Sequence, residues 1–220
     1  MTIRGVIFDM DGLIFDTERV YIQLYKKIEP VYGICLPEQA YIDCVGTTRQ
    51  RTKEIILEYA GSTSLDYEAL KDELDRGFDR YRIEEGLPLK EGARKLIEHL
   101  HSLELPLAIA SSTSRHIVEG NLEHAGLSDC FSAVVGGDEI EHGKPEPDIY
   151  LRAALMLGLP AESLLAFEDS EAGIRSAVSA GMRVAAVPDV KRPPDEVLAS
   201  AWGVFESLSA VLPRINDLLN

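Results

Sequence analysis

Residues 4–12 read Arg-Gly-Val-Ile-Phe-Asp-Met-Asp-Gly, a short apolar run that stops at two carboxylates and a glycine. Apolar residues at consecutive positions are the pattern of a parallel strand buried on both faces. Residues 105–110, 133–135 and 164–167 carry similar runs, and 183–187 makes a fifth. The segments between the later runs have helical spacing: Ala93, Leu96, Ile97, Leu100; Ile117, Val118, Leu122, Ala125; Ile149, Ala153, Leu157; and Ile174, Ala177, Val178. Strand alternating with helix predicts an α/β fold, a doubly wound parallel (Rossmann-like) sheet of five or six strands.

Residues 18 to about 85 break this rhythm. They carry helical patterns (Val20, Tyr21, Leu24, Tyr25, Ile28; Ile55, Ile56, Tyr59; Leu70, Leu74, Phe78, Tyr81) and no strand pattern. The reading is therefore an α/β core at 1–15 and 88–220, interrupted by a helical cap at 16–87 that leaves after Phe15 and rejoins near Gly86-Leu87-Pro88. Asp16 and Thr17 are read as a helix cap ahead of the first helix of that insertion, Thr17 being well placed for it. The tail from 207 to 219 reads as one amphipathic helix.

Of the 220 residues, 37 are acidic and 22 are Lys or Arg, a formal charge of -15. Such a surface repels nucleic acid and anionic membrane faces, so any positive charge for an anionic ligand must be local. No apolar stretch is long enough to span a bilayer. The N-terminal residues lack a secretion signal and the three cysteines (Cys35, Cys44, Cys130) are odd in number and irregularly spaced, so a cytoplasmic protein with reduced thiols used for packing is expected.

In an open parallel sheet ligands bind at the carboxyl ends of the strands, so the residues after each run carry the chemistry. Those residues are Asp9-Met10-Asp11-Gly12, Ser111-Ser112-Thr113 and Glu168-Asp169-Ser170. Asp9, Asp11 and Asp169 in one crevice must take up protons or be compensated by a cation. Oxygen ligands without His or Cys favour Mg²⁺, which retains waters and binds few carboxylates together with substrate phosphate. The acidic stretch is not a helix-loop-helix calcium loop, because Gly12 follows the second Asp directly and a strand precedes it. Gly12 supplies the bend that takes the chain off the strand.

The stretch Asp9-Met10-Asp11-Gly12-Leu13-Ile14-Phe15-Asp16-Thr17-Glu18 resembles the first motif of the haloacid dehalogenase superfamily, in its branch with a helical cap after strand one. The other motifs of that superfamily follow in order: Ser111 closing a strand, Lys144 in Gly143-Lys144-Pro145-Glu146-Pro147-Asp148, and Glu168-Asp169 before Ser170-Glu171-Ala172-Gly173. The resemblance implies a phosphatase acting on a small phosphorylated metabolite through an aspartyl-phosphate on Asp9, a two-step in-line transfer. By the same analogy Asp11, two residues on along the strand and so on the same side, protonates the leaving alkoxide and then activates water. Asp169, the Asp11 carbonyl and Asp9 hold Mg²⁺, with Glu168 as a direct or water-mediated ligand. Ser111, Ser112 and Gly12 meet the phosphoryl group, and Lys144 stabilises its charge. A lysine before proline is ordinarily a solvated loop residue, and its place in the superfamily pattern is what reverses that reading.

Gly46-Thr47-Thr48-Arg49 resembles the cap loop of β-phosphoglucomutase-like proteins, where an arginine reaches a second anionic group of the substrate. Arg49 has a second reading, as the solvated first turn of a helix. Tyr21 departs from the mutase pattern, which has a histidine there, so a phosphosugar mutase is the alternative and a phosphatase the main expectation. Asp11 counts against a dehalogenase or a phosphonate hydrolase, since neither needs a second carboxylate. A non-catalytic binding module would have lost Asp9, Asp11, Lys144 or Asp169, and all four are present. A monomer or small homo-oligomer is expected.

Overall fold

The computed structural model describes residues 2–61 and 65–219. The chain forms two compact units, one of Met1–Asp16 with Pro88–Asn220 and one of Thr17–Leu87.

The first unit is built on six parallel strands: β1 (Gly5–Phe8), β2 (Leu107–Ala110), β3 (Ala133–Val135), β4 (Leu164–Glu168), β5 (Arg183–Ala186) and β6 (Gly203–Val204). Their spatial order is β3-β2-β1-β4-β5-β6. Every residue of β1, β2, β3 and β4 is buried, as expected of a sheet covered on both faces. On one face Ile7, Ala108, Ala110, Val135, Ala166 and Val184 share a core with Ile149, Tyr150, Ala153, Ile174 and Ala177. By strand alternation Phe8 and Phe167 point to the other face, where their rings stack with centroids 5.0 Å apart.

The five sequence runs fall on β1 to β5, with every end within two residues of the strand's. The sixth strand, β6, escaped because two residues carry no periodic signal. Strands one and four are the pair that matters. Phe8 lies beside Phe167 in register, and the Asp9 amide donates to the Phe167 carbonyl at 3.0 Å. This register delivers Asp9 directly next to Glu168 and Asp169, at the point where strand order reverses and α/β proteins place their ligands.

The helices of the second unit are α1 (Thr17–Ile28), α2 (Glu38–Cys44), α3 (Arg49–Ala60) and α4 (Tyr67–Glu84), with no strand among its described residues. Tyr25, Leu36, Ala40, Tyr41, Ile56, Tyr67, Leu70 and Leu74 form its core. Buried Glu29 accepts from the Leu36 amide at 3.2 Å and from the Tyr41 hydroxyl, so the one acid in this core is hydrogen-bonded. The seven-residue α2 is too short to show a helical period and was not foreseen. α1 begins at Thr17, so of the two residues read as its cap Asp16 stands at that position and Thr17 is already helical.

The helices of the first unit are α5 (Ala93–Ser102), α6 (Arg115–His124), α7 (Asp148–Leu157), α8 (Glu171–Ser179), α9 (Asp195–Leu198), α10 (Leu208–Val211) and α11 (Ile215–Leu219). The tail is not one helix: a tighter turn at Leu212–Arg214 separates α10 from α11. Pro213 lies in that turn, and proline supplies no amide for the helical ladder. Of the cysteines, half-buried Cys44 packs against the core of the second unit, Cys130 is half buried, and Cys35 is exposed and so not a packing residue.

Candidate functional site

Asp9 leaves the end of β1 with its side chain buried, and its Oδ1 accepts from Lys144 Nζ at 2.5 Å. The same ammonium donates to Glu168 Oε1, also at 2.5 Å. Lys144 therefore bridges two carboxylates while only 6 % exposed itself, which removes the solvated-loop reading. It precedes a cis bond to Pro145 and lies 5.1 Å from the centroid of the Tyr150 ring.

Glu168 ends β4 fully buried and is saturated with donors. Besides Lys144, Oε1 accepts from the Tyr150 hydroxyl at 2.7 Å. Oε2 accepts from the amides of Asp169 and Ser170 at 3.1 and 3.2 Å and from Ser170 Oγ at 3.1 Å. Those amides open α8, where the helix terminus favours negative charge. Gly173 makes the arrangement sterically possible, because a β-carbon there would collide with the Glu168 carboxylate.

Asp9, Glu168 and Asp169 each turn a carboxylate oxygen into one place, with the three oxygens within 4.8 Å of one another. Burial raises the Asp9 carboxyl from 3.8 to about 8; Lys144 opposes the shift, and Glu168 and Asp11 add to it. Burial likewise pushes Asp169 well above the ordinary carboxylate range, reinforced by Glu168 and Asp9. Burial alone would pull the Lys144 ammonium down, but Asp9 and Glu168 together hold it above its ordinary value. One buried cation thus faces three buried acids, and a second, hard cation is what that donor set fits.

Asp11 lies beyond the end of β1, not along it. The chain folds into a tight loop in which the amides of Ile14 and Phe15 donate to the Met10 carbonyl at 2.9 and 3.1 Å and the Gly12 amide to the Phe15 carbonyl at 2.9 Å. The expectation that strand alternation sets the Asp11 direction is therefore corrected; this loop sets it, with Gly12 at φ 77°. A methyl on Gly12 would meet Asp169 Oδ2 at 2.5 Å, so glycine is required for the loop to lie against that carboxylate.

Ser111 and Thr113 follow β2, and both hydroxyls donate to Asp11 Oδ2, at 3.2 and 2.8 Å. The Thr113 amide in turn donates to Ser111 Oγ at 3.0 Å. Ser111 is thus engaged with Asp11, and Ser112 is exposed beside it. Thr113 and Tyr150 were missed in the sequence. Thr113 stood in the quoted Ser-Ser-Thr run, whereas Tyr150 sits on an apolar face of α7 where a tyrosine gives no distinguishing signal.

Arg49 belongs to the Thr17–Leu87 unit. It is the first residue of α3, after Thr48 whose Oγ1 accepts from the Arg51 amide at 3.2 Å. Its guanidinium is exposed and lies 2.8 Å from Glu68 and 3.8 Å from Asp72. A cavity of about 340 Å³ in the same unit is lined by residues that include Tyr21, Thr47, Arg49 and Lys71.

A family model described as haloacid dehalogenase-like hydrolase matches residues 6–187. The phosphorylated carbohydrates phosphatase of Thermotoga maritima is 31 % identical over 185 residues, 81 % of this chain and 82 % of that one. The fructose-1-phosphate phosphatase YqaB of Escherichia coli is 33 % identical over 180 residues, 81 % of this chain and 93 % of that one. A CbbY mutant from Rhodobacter sphaeroides, crystallised with xylulose-1,5-bisphosphate, superposes with a TM-score of 0.74 at 26 % identity, covering 95 % of this chain and 96 % of that one.

Proposed function

From a chain that belongs to the haloacid dehalogenase-like hydrolases, as one of their phosphoric monoester hydrolases, we infer a magnesium-dependent phosphatase that hydrolyses a small phosphorylated carbohydrate through Asp9. The observation that carries the reading is the Asp9 carboxylate, buried at the end of the central strand and held by Lys144 at 2.5 Å inside a cluster of acids.

In the first step an Asp9 carboxylate oxygen attacks phosphorus, and the bond from phosphorus to the sugar oxygen breaks. The departing alkoxide takes a proton from Asp11. The Ser111 and Thr113 hydroxyls both donate to Asp11 Oδ2 and hold that carboxyl in place. In the second step water attacks phosphorus and gives its proton to Asp11, and the bond from phosphorus to Asp9 breaks, releasing phosphate. Lys144 holds Asp9 in place and offsets the repulsion between its carboxylate and an incoming dianion. Asp9 and Asp169 would hold Mg²⁺, with the Asp11 carbonyl completing the set; when bound, the ion supplies positive charge to the phosphoryl oxygens. Glu168, already saturated by five donors, fixes Lys144 and the start of α8. Ser112 and Gly12 border the place of the phosphoryl group, and Arg49 in the helical unit, the cap in this reading, selects the rest of the substrate.

Phosphatase is favoured over mutase by Tyr21. Burial, then its hydrogen bond to Asp75, raises the Tyr21 hydroxyl far above its ordinary range, so it cannot exchange protons near neutrality as a histidine would. The test is an assay of purified protein, with Mg²⁺ or EDTA, on sugar phosphates and β-glucose 1-phosphate, following free phosphate and isomerised product. Magnesium-dependent phosphate release that disappears in Asp9→Asn is expected. Isomerisation with little free phosphate would make it a mutase, and turnover in Asp9→Asn within a few-fold of wild type would remove the covalent step.

A further inference from the structure

Asp189 follows β5, in Val187-Pro188-Asp189, and matches none of the motifs that identify the site. Its side chain is only 4 % exposed. One oxygen, Oδ1, pairs with Lys90 Nζ, which also lies 3.6 Å from Asp16 Oδ1. The other oxygen, Oδ2, is buried without a hydrogen-bond partner. A carboxylate oxygen removed from water and left without a donor is strongly disfavoured, so a donor belongs there.

The geometry around Gly12 shows where. A methyl on Gly12 would meet Asp169 Oδ2 at 2.5 Å and Asp189 Oδ2 at 3.3 Å. The two oxygens therefore converge on one point beside the Gly12 Cα, no farther apart than the sum of those distances. Two acceptors that face one point can share a single water, which donates one proton to each. Asp189 also acts on Asp169 electrostatically, being among the charges that raise its carboxyl.

We propose that Asp189 is a positioning residue for the divalent cation: its Oδ2 accepts from a water of the ion's hydration shell, while Lys90 fixes its rotamer through Oδ1. The proposal rests on the magnesium reading above. Mg²⁺ keeps several waters when bound to proteins, and a carboxylate aimed at one of them orients the shell and adds attraction without entering it. Neither Lys90 nor Asp189 contributes to the reacting atoms, which distinguishes them from Asp9 and Asp11.

The experiment is Mg²⁺ titration by calorimetry on wild type, Asp189→Asn and Lys90→Met, with melting temperatures of all three in EDTA. Asp189→Asn keeps an acceptor for Lys90 but loses a charge, and its Mg²⁺ affinity is expected to fall by about 10- to 100-fold with little change in melting temperature. Lys90→Met leaves the Asp189 charge uncompensated, so it is expected to melt lower yet bind Mg²⁺ several-fold more tightly. If both variants melt lower and bind Mg²⁺ as wild type does, Asp189 is only the partner of Lys90 and the inference is overturned. If Asp189→Asn does not fold, Lys90→Met decides alone, and unchanged affinity there overturns it. A wild-type protein that binds no Mg²⁺ overturns the magnesium reading and this inference with it.

Discussion

Replacing Asp9 should make the metal-free protein more stable. Asp9 has its carboxyl raised from 3.8 to about 8, with burial as the largest cause. An acid whose folded value lies above its unfolded value exerts no penalty below about pH 4. From there each pH unit withdraws about 1.4 kcal/mol of stability, until the folded group itself ionises. At pH 7 this amounts to about 4 kcal/mol, part of which is shared with Glu168 and Asp169 because the acids interact. Asp9→Asn removes the titration and keeps an acceptor for Lys144. Exchanging the carboxyl acceptor of the Lys144 ammonium for a weaker amide oxygen costs about 1–2 kcal/mol. The net gain is about 2 kcal/mol at pH 7, or ~4–8 °C in melting temperature for a chain of this size. The assay is thermal unfolding of both proteins in EDTA between pH 5 and 8, repeated with saturating Mg²⁺. The gap should widen as pH rises and should narrow with Mg²⁺, which stabilises wild type by binding its folded form. An Asp9→Asn protein no more stable than wild type at pH 8 in EDTA, or a gap independent of pH, would refute the reasoning.

Three further outcomes follow from named contacts. Asp11→Asn should lower turnover by about 10² to 10⁴-fold, the usual worth of a positioned acid-base group, and an unchanged rate would reassign the proton donor. Arg49→Ala should raise KM for the best sugar phosphate more than for a small aryl phosphate; equal effects would mean that its guanidinium serves only Glu68 and Asp72. Tyr150→Phe removes one donor from buried Glu168 Oε1 and should destabilise by about 1–2 kcal/mol, measured by urea unfolding, while no loss would show that Lys144 alone satisfies that oxygen.

The parallel sheet and the acidic strand ends were legible because both are local signals. Apolar runs such as 4–8 and 164–167 announce strands buried on two faces, and carboxylates placed directly after them have no structural reason to be there. Lys144 was legible only through its motif; its burial between Asp9 and Glu168 depends on strands remote in sequence. Short elements were lost for lack of periodicity, as β6 and α2 show, and the tail was read as continuous although Pro213 lies in the turn that divides it.

Composition, periodicity and the residues at the strand ends thus determine an α/β core, a helical insertion and a set of acids gathered at the strand ends. Tertiary structure decides what those acids do to each other. The β1–β4 register sets Asp9 beside Glu168, Gly12 and Gly173 let backbone approach two carboxylates, and Ser111 with Thr113 holds Asp11 through its Oδ2. The sequence separation of 99 between Lys90 and Asp189 hides their pairing from any local pattern. The physical reason is range: hydrophobic patterning acts within one strand or helix, whereas desolvation and charge coupling depend on distances that only the folded chain defines.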